Sequence, residues 1–396
     1  MPKINKKKLA ISVFATAALT ITFAAILSLK TAEISENSIA ALKELNSDYG
    51  MVMTENLLEE TTYPQLMVDI FKADEYSTEN RGLIANTGED MVLLQPIEEI
   101  SDNELNEIAR KYNEKVPEIH FEIDQEVSIT EDGMADGLIE ENIGAIIDPI
   151  NVYIETSGNS VRVAVIDTGI QEDHPRFANA SLEIEENSNV MDGNSEPADD
   201  VGHGTHIAGI IAKNAENSII IPFKIVNKDG GKLSDVIKAI DQSIDAEVDV
   251  INISLGVQEA SFSLEEIVEK ASEKGVIIVA AAGNFSSSEK FYPAAYEETI
   301  SVAATYYSGK KLESSNYGDW IDVAAKGYHI YSSVPYNDYG FKNGTSQAAA
   351  IVTAKVSKLL SDNPDMTFDS VIEALSTTSS FVKDDELSNV PIVTLY

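Results

Sequence analysis

The second half of the chain is expected to fold as a mainly parallel α/β sheet covered by helices on both faces. Two observations predict this. From Val161 onward, short β-branched runs (161–166, 219–226, 248–254, 275–281) alternate with helical stretches (203–213, 234–246, 264–274), the pattern of successive βαβ units. A length of 396 residues, 43% of them hydrophobic, is ample for a real core. In such sheets reactive groups gather beyond the carboxyl ends of the strands, and Asp167 ends the first run.

Residues 33–120 read as a smaller, separate α+β unit. Residues 91–94 suggest a strand. Residues 101–113 suggest a capped helix in which Leu105, Ile108, Ala109 and Tyr112 fall at i, i+3, i+4 and i+7, one buried stripe. Residues 113–136 carry Glu114, Glu118, Glu122, Asp124, Glu126, Glu131 and Asp132, and read as an exposed linker. The expected organisation is therefore 1–32, 33–120 and 121–396.

The first 30 residues hold five lysines and no acid, and residues 9–29 carry no charge. A basic start before an apolar run is an export signal. It is long enough for a membrane anchor, although Ser12, Thr16, Thr20, Thr22 and Ser28 dilute it in the manner of a signal peptide. By either route the remainder faces outward, secreted or anchored on the outer face of the cell membrane, with the N-terminal segment as the part that contacts membrane. A net charge of −38 argues against nucleic acid as a partner. The absence of cysteine excludes disulfides, thiolate metal sites and a Cys nucleophile.

Three segments carry chemistry: Asp167-Thr168-Gly169, His203-Gly204-Thr205-His206 and Asn343-Gly344-Thr345-Ser346. Asp, His and Ser in this order have the residue types of a nucleophilic triad, in which His takes the Ser proton and Asp sets the His tautomer. A fourth segment, Ala281-Ala282-Gly283-Asn284, follows a strand and offers a side-chain amide to an oxyanion. Other readings of the same residues are weaker. Asp-Thr-Gly also occurs in pepsin-like proteases, but those need two carboxylates sharing a proton, and no second copy exists. His203 and His206 stand at i, i+3 without the intervening Glu of a zinc peptidase; His206 reads as structural.

These four segments resemble the Asp, His, oxyanion and Ser boxes of the subtilisin-like serine proteases. The resemblance covers residues 161–360, and Asp173-His174-Pro175 and Phe291-Tyr292-Pro293 extend it. It implies a three-layer α/β/α sandwich with a mainly parallel sheet, preceded by a small α+β propeptide domain that acts as the enzyme's own inhibitor. It also implies a serine endopeptidase that needs no cofactor, acting on peptide or protein substrates. Asp167, His203 and Ser346 would be catalytic and Asn284 the oxyanion donor. Ser254, Leu255, Gly256, Ala282 and Gly283 would bind substrate. Two departures stand out. Ala350 replaces the family's usual Pro, which predicts an unkinked helix. The connection at 213–218 is too short for the family's usual calcium loop, so no metal is expected there. Export, an acidic proregion and the short connection further resemble the lanthipeptide leader peptidases. A general degradative subtilase and a peptide-binding pseudoprotease are the alternatives. Self-cleavage is expected between about Glu114 and Glu126.

Overall fold

The computed structural model describes residues 36–49, 51–56, 81–87, 91–96, 100–127, 129, 158–178, 180–377 and 380–395. Residues 1–32, expected from the sequence to direct export, lie outside them. The chain divides into two compact units, with the boundary after Ile123.

The first unit contains α1 (Glu36–Tyr49), β1 (Met51–Asn56), β2 (Leu83–Asn86), β3 (Met91–Pro96), α2 (Asp102–Lys115) and β4 (His120–Ile123). Its four strands form an antiparallel sheet in the order β1-β3-β2-β4. Ser101 caps α2 by accepting from the Glu104 N–H, and the stripe Leu105, Ile108, Ala109, Tyr112 is buried. These residues share one core with Leu42 and Leu45 of α1 and with Leu83, Leu94 and Phe121 of the sheet.

The structure corrects the linker reading for residues 113–127. Asn113 donates from Nδ2 to the Phe121 carbonyl (2.9 Å) and accepts from the Phe121 N–H at Oδ1 (2.7 Å), fastening the end of α2 to β4. Val116, Ile119, Phe121 and Val127 are buried. Of the acids in this stretch Glu114 and Glu126 are exposed, Glu118 and Glu122 half-buried and Asp124 buried, so their number said nothing about disorder.

The second unit begins with Asp124, whose carboxylate accepts from Ser234 N–H (2.8 Å) and Ser234 Oγ (2.9 Å). Burial pushes this carboxyl up to about 6, against the hydrogen bonds from Ser234. There follow β5 (Glu126–Val127), β6 (Val161–Asp167), β7 (Ser181–Leu182), α3 (His203–Asn214), β8 (Ser218–Lys224), β9 (Val226–Asn227), β10 (Gly230–Lys232), α4 (Leu233–Asp245), β11 (Val250–Ile253), α5 (Phe262–Glu273) and β12 (Ile277–Ala281). The unit closes with β13 (Thr299–Thr305), β14 (Val323–Lys326), β15 (Ile330–Val334), β16 (Asp338–Lys342), α6 (Thr345–Asp362) and α7 (Phe368–Ser376). The short β5 pairs antiparallel with β10.

Seven strands form one parallel sheet in the order β14-β13-β12-β11-β6-β8-β7. All seven residues of β13 are buried, and β11 and β12 are buried throughout, as expected when helices cover both faces. The chain leaves β6 toward β8 on one side and returns to β11 on the other. A crevice therefore opens between the carboxyl ends of β6 and β11. Helix α6 lies against β11, β12, β13 and β14. Ala348, Ala349 and Ala350 are wholly buried in that packing, and their short side chains let the helix approach the sheet. With Ala350 in its interior, α6 runs unbroken from Thr345 to Asp362. Only residues 215–217 separate α3 from β8, in a tight turn closed by Ser218 N–H donating to the Ala215 carbonyl (3.0 Å).

Candidate active site

Asp167 ends β6 at the crevice and is wholly buried. Its Oδ1 accepts from the Thr168 N–H (2.7 Å). The Nδ1 of His203 lies 2.7 Å from Oδ1 and 2.9 Å from Oδ2. A carboxylate only accepts, so Nδ1 carries the proton and Nε2 is the basic nitrogen. That Nε2 is buried and has no hydrogen-bond partner among the described residues.

His203 is the first residue of α3, and its position depends on Asp199, which sequence reasoning missed. One Asp199 oxygen accepts from the N–H groups of Val201 (3.0 Å) and Gly202 (2.6 Å) and from Thr168 Oγ1 (2.7 Å). The other accepts from Thr205 N–H (2.9 Å) and Thr205 Oγ1 (2.6 Å). An anion so placed satisfies donors that the first turn leaves unpaired and complements the helix dipole. Thr168 Oγ1 in turn accepts from the Gly204 N–H (2.8 Å), which locks the Asp and His segments together. A Cβ on Gly204 would stand 2.1 Å from the Gly169 carbonyl oxygen, so only glycine permits this approach. The readable signal was an Asp four residues before the His.

Ser346 is the second residue of α6 and is wholly buried. Its Oγ donates to the Ser254 carbonyl (3.3 Å), while Ser254 Oγ donates back to the Ser346 carbonyl (3.5 Å). Helices α3 and α6 pack together, yet the Ser346 hydroxyl is not hydrogen-bonded to His203 in this state. Behind Ser254, Asn252 Nδ2 donates to Ser254 Oγ (3.0 Å), and Thr353 Oγ1 donates to Asn252 Oδ1 (2.9 Å). This buried relay, also missed in the sequence, joins β11 to α6.

Asn284 follows β12 and is held by α6. Its Oδ1 accepts from both Thr345 N–H (3.0 Å) and Thr345 Oγ1 (3.1 Å), which sets the amide orientation and leaves Nδ2 on the opposite side. The Gly283 N–H donates to Thr345 Oγ1 (3.1 Å). Asn316 braces the same loop, donating from Nδ2 to Ala282 O (2.9 Å) and accepting from Phe285 N–H (2.9 Å) at Oδ1. The backbone polar groups of Ala282 and Gly283 are thus engaged within the protein. Ser254, Leu255 and Gly256 continue from β11, and the following Val257 exchanges backbone hydrogen bonds with Tyr292 (2.9 Å each). A Cβ on Gly256 would lie 2.1 Å from the Tyr292 carbonyl oxygen.

His206 is wholly buried beneath the β15–β16 hairpin, with Nε2 3.3 Å from the Gly340 carbonyl. Ser332 and Ser333 of β15 donate to the His206 and Thr205 carbonyls (2.8 and 2.9 Å). Burial lowers the imidazole to about 3, and the nearby Lys342 and His203 act in the same direction. His206 is therefore neutral and structural.

Comparison with known proteins agrees with this geometry. The chain is 34% identical over 268 residues to the thermophilic serine proteinase of Bacillus sp. (strain AK1), across 62% of this chain and 66% of that protein, just under two thirds of the relative's length. Among solved structures, a cold adapted subtilisin-like serine proteinase aligns with 28% identity and a TM-score of 0.55, covering 61% of this chain and 90% of the other. A lanthipeptide protease aligns with a TM-score of 0.56 over 60% of this chain and 87% of its own. At 23% identity that last likeness is one of fold. The model of the subtilase family matches residues 158–390. That span is more than half of the chain and includes every residue placed around the crevice, so the chain belongs to the subtilase family.

Proposed function

We propose that this chain is a serine endopeptidase in which Ser346 is the nucleophile, His203 the general base and then acid, and Asp167 the carboxylate that holds the His203 tautomer. The observation that carries the reading is the His203 ring: Nδ1 is held by both Asp167 oxygens, and Nε2 has no hydrogen-bond partner among the described residues. Rotation about the Ser346 Cα–Cβ bond takes Oγ off the Ser254 carbonyl and toward Nε2. Such contacts commonly tighten only when substrate binds. Oγ then attacks the scissile carbonyl carbon, its proton passes to Nε2, and the leaving amine takes that proton as the C–N bond breaks. Asn284 Nδ2 and the Ser346 N–H donate to the oxyanion. Ser254, Leu255 and Gly256 present an edge for substrate backbone, and the walls at Ala282 and Gly283 shape the pocket.

Replacing Asn284 by Ala removes one oxyanion donor. The expected result is a fall in kcat of roughly 10²–10³, about 2.7–4 kcal/mol, the size found for this donor in a subtilisin. Peptide-amide kinetics measure it, and unchanged kcat would remove Asn284 from the oxyanion site.

Maturation follows from the same reading. The first unit is the propeptide and inhibitor, and residues 1–32 direct export. Residues 114–127 take part in α2, β4, β5 and the Asn113–Phe121 hydrogen bonds, which argues against a cut at 114–126; the expected cut moves to 128–157, ahead of the span matched by the subtilase family. A narrower reading, removal of a leader from a lanthipeptide precursor, is favoured over general degradation by the short turn at 215–217 and the acidic N-terminal unit.

The test is mass spectrometry of purified wild type and Ser346→Ala, with and without a serine-directed phosphonate. Wild type should take one phosphonate on the Ser346 peptide and be cut within 128–157, while the variant stays intact and unlabelled. An unlabelled wild type would identify a peptide-binding pseudoprotease. One defined cut after an acidic residue supports the leader-peptidase reading, and many cuts support a degradative enzyme.

A further inference from the structure

Gln347 is wholly buried, and neither Oε1 nor Nε2 has a hydrogen-bond partner among the described residues. It directly follows Ser346 in the first turn of α6. A buried amide without a partner is costly, and methionine, of nearly the same length and volume, would fill the space without that cost. Among the described residues, Nε2 of His203 and Nδ1 of His206, both on α3, are in the same condition, and of the two Nε2 belongs to the proposed general base. Both Thr345 and Thr353, on the same helix, are by contrast fully engaged with Asn284 and Asn252.

Building on the proposed acyl-enzyme reaction, we infer that the Gln347 amide and His203 Nε2 together hold the water that hydrolyses the acyl-enzyme. The amide suits a water because it both donates and accepts. The need arises in deacylation, when the leaving amine has gone and a small nucleophile must take its place. One water O–H points at Nε2 and the other at Gln347 Oε1, which aims the oxygen lone pair at the acyl carbon. The water oxygen bonds to that carbon and its proton passes to Nε2. The bond from the carbon to Ser346 Oγ breaks, and Oγ recovers the proton from His203. Gln347 exchanges no proton; it touches the reacting water and orients it.

The experiment compares the full chain with Gln347→Met by pre-steady-state kinetics on an activated ester. The burst reads acylation and the steady phase reads deacylation. Gln347→Met should acylate within about twofold of wild type but deacylate roughly tenfold more slowly, since an unheld water forfeits orientation. With an added amine nucleophile, the acyl group should partition further toward aminolysis. Its melting temperature should rise by a few degrees, because two unpaired buried polar atoms are gone. A variant that melts higher with both steps unchanged would make Gln347 a passive buried amide and overturn the inference. Equal slowing of both steps would also overturn it, by indicating general distortion of the helix start. If wild type shows no burst and no labelling of Ser346, the peptidase reading itself falls, and this inference with it.

Discussion

Replacing Asp167 by Asn should lower kcat by roughly 10⁴, about 5.5 kcal/mol of transition-state stabilisation, with little change in KM. The reason lies in which atoms surround the side chain. At the Oδ1 position the Thr168 N–H donates from 2.7 Å, so an oxygen must stay there. The asparagine NH₂ then occupies the other position, where Oδ2 now sits 2.9 Å from His203 Nδ1. An NH₂ facing Nδ1 makes Nδ1 an acceptor and moves the ring proton to Nε2. A protonated Nε2 cannot take the Ser346 proton. Size and fold are preserved, since Asn keeps one contact to Thr168 and one to the ring. Ground-state binding therefore persists while the proton transfer fails, which separates kcat from KM. Steady-state kinetics together with imidazole ¹⁵N shifts check both halves. A loss below about 10² with the proton still on Nδ1 would mean that Asp167 does not control the tautomer.

Much of this arrangement was legible before any coordinates. The strands ending at Asp167 and Ser254 show as continuous β-branched runs because both faces of the sheet are buried, and the helices between them follow from their periodicity. Asp167, His203, Ser346 and Asn284 stand out because the chemistry proposed for them requires particular residue types next to glycine. What stayed hidden is of another kind. Asp199 looks like one more surface acid, and its importance comes from five donors that only the folded loop collects. Asn252 and Thr353 are 101 residues apart and meet only because α6 lies across β11. Thr345 is an ordinary helix-start residue until its hydroxyl is seen to orient Asn284. In residues 113–127 five acids are interleaved with five apolar residues, and a count by composition concealed that Val116, Ile119, Phe121 and Val127 lie inside.

These hidden contacts share a function. The residues of the proposed triad come from β6, α3 and α6, and the atoms that fix their geometry come mostly from side chains with no part in the proposed chemistry. Asp199 ties the start of α3 to the end of β6 through Thr168. Ser254 and Asn252 tie β11 to α6. The hairpin β15–β16 bonds to carbonyls of Thr205 and His206 in the helix that carries His203. Preorganisation at the crevice is therefore distributed over neutral hydroxyls and amides plus one acid. The weak point is the buried imidazole of His206.

Acidification should loosen that point. In the folded protein His206 stays neutral until about pH 3, whereas in the unfolded chain it titrates near 6.5. Its folded value is depressed, so the stability it contributes is complete above about 6.5 and declines as pH falls toward 3, because only the unfolded state binds the proton in that window. At pH 4.5 the loss relative to pH 7 is on the order of 2–3 kcal/mol from this group alone, a large share of the 5–15 kcal/mol typical of a domain. A proton on Nδ1 would also place a charge beneath the hairpin, next to Lys342 and in the helix of His203, with no carboxylate among the groups acting on it. Urea unfolding between pH 7 and 4.5 measures the effect, in the Ser346→Ala background so that self-digestion does not intervene. His206→Asn, which does not titrate, should start less stable at pH 7 through lost packing. It should also show a pH dependence shallower than the parent by on the order of 2–3 kcal/mol across that range. All other titrating groups are common to both proteins and cancel in the difference. Equal slopes would mean that the folded imidazole accepts its proton as readily as the unfolded one. In that case the hairpin must open to solvent well before the domain unfolds, and the acid limit of the enzyme would lie in the hairpin rather than in the core.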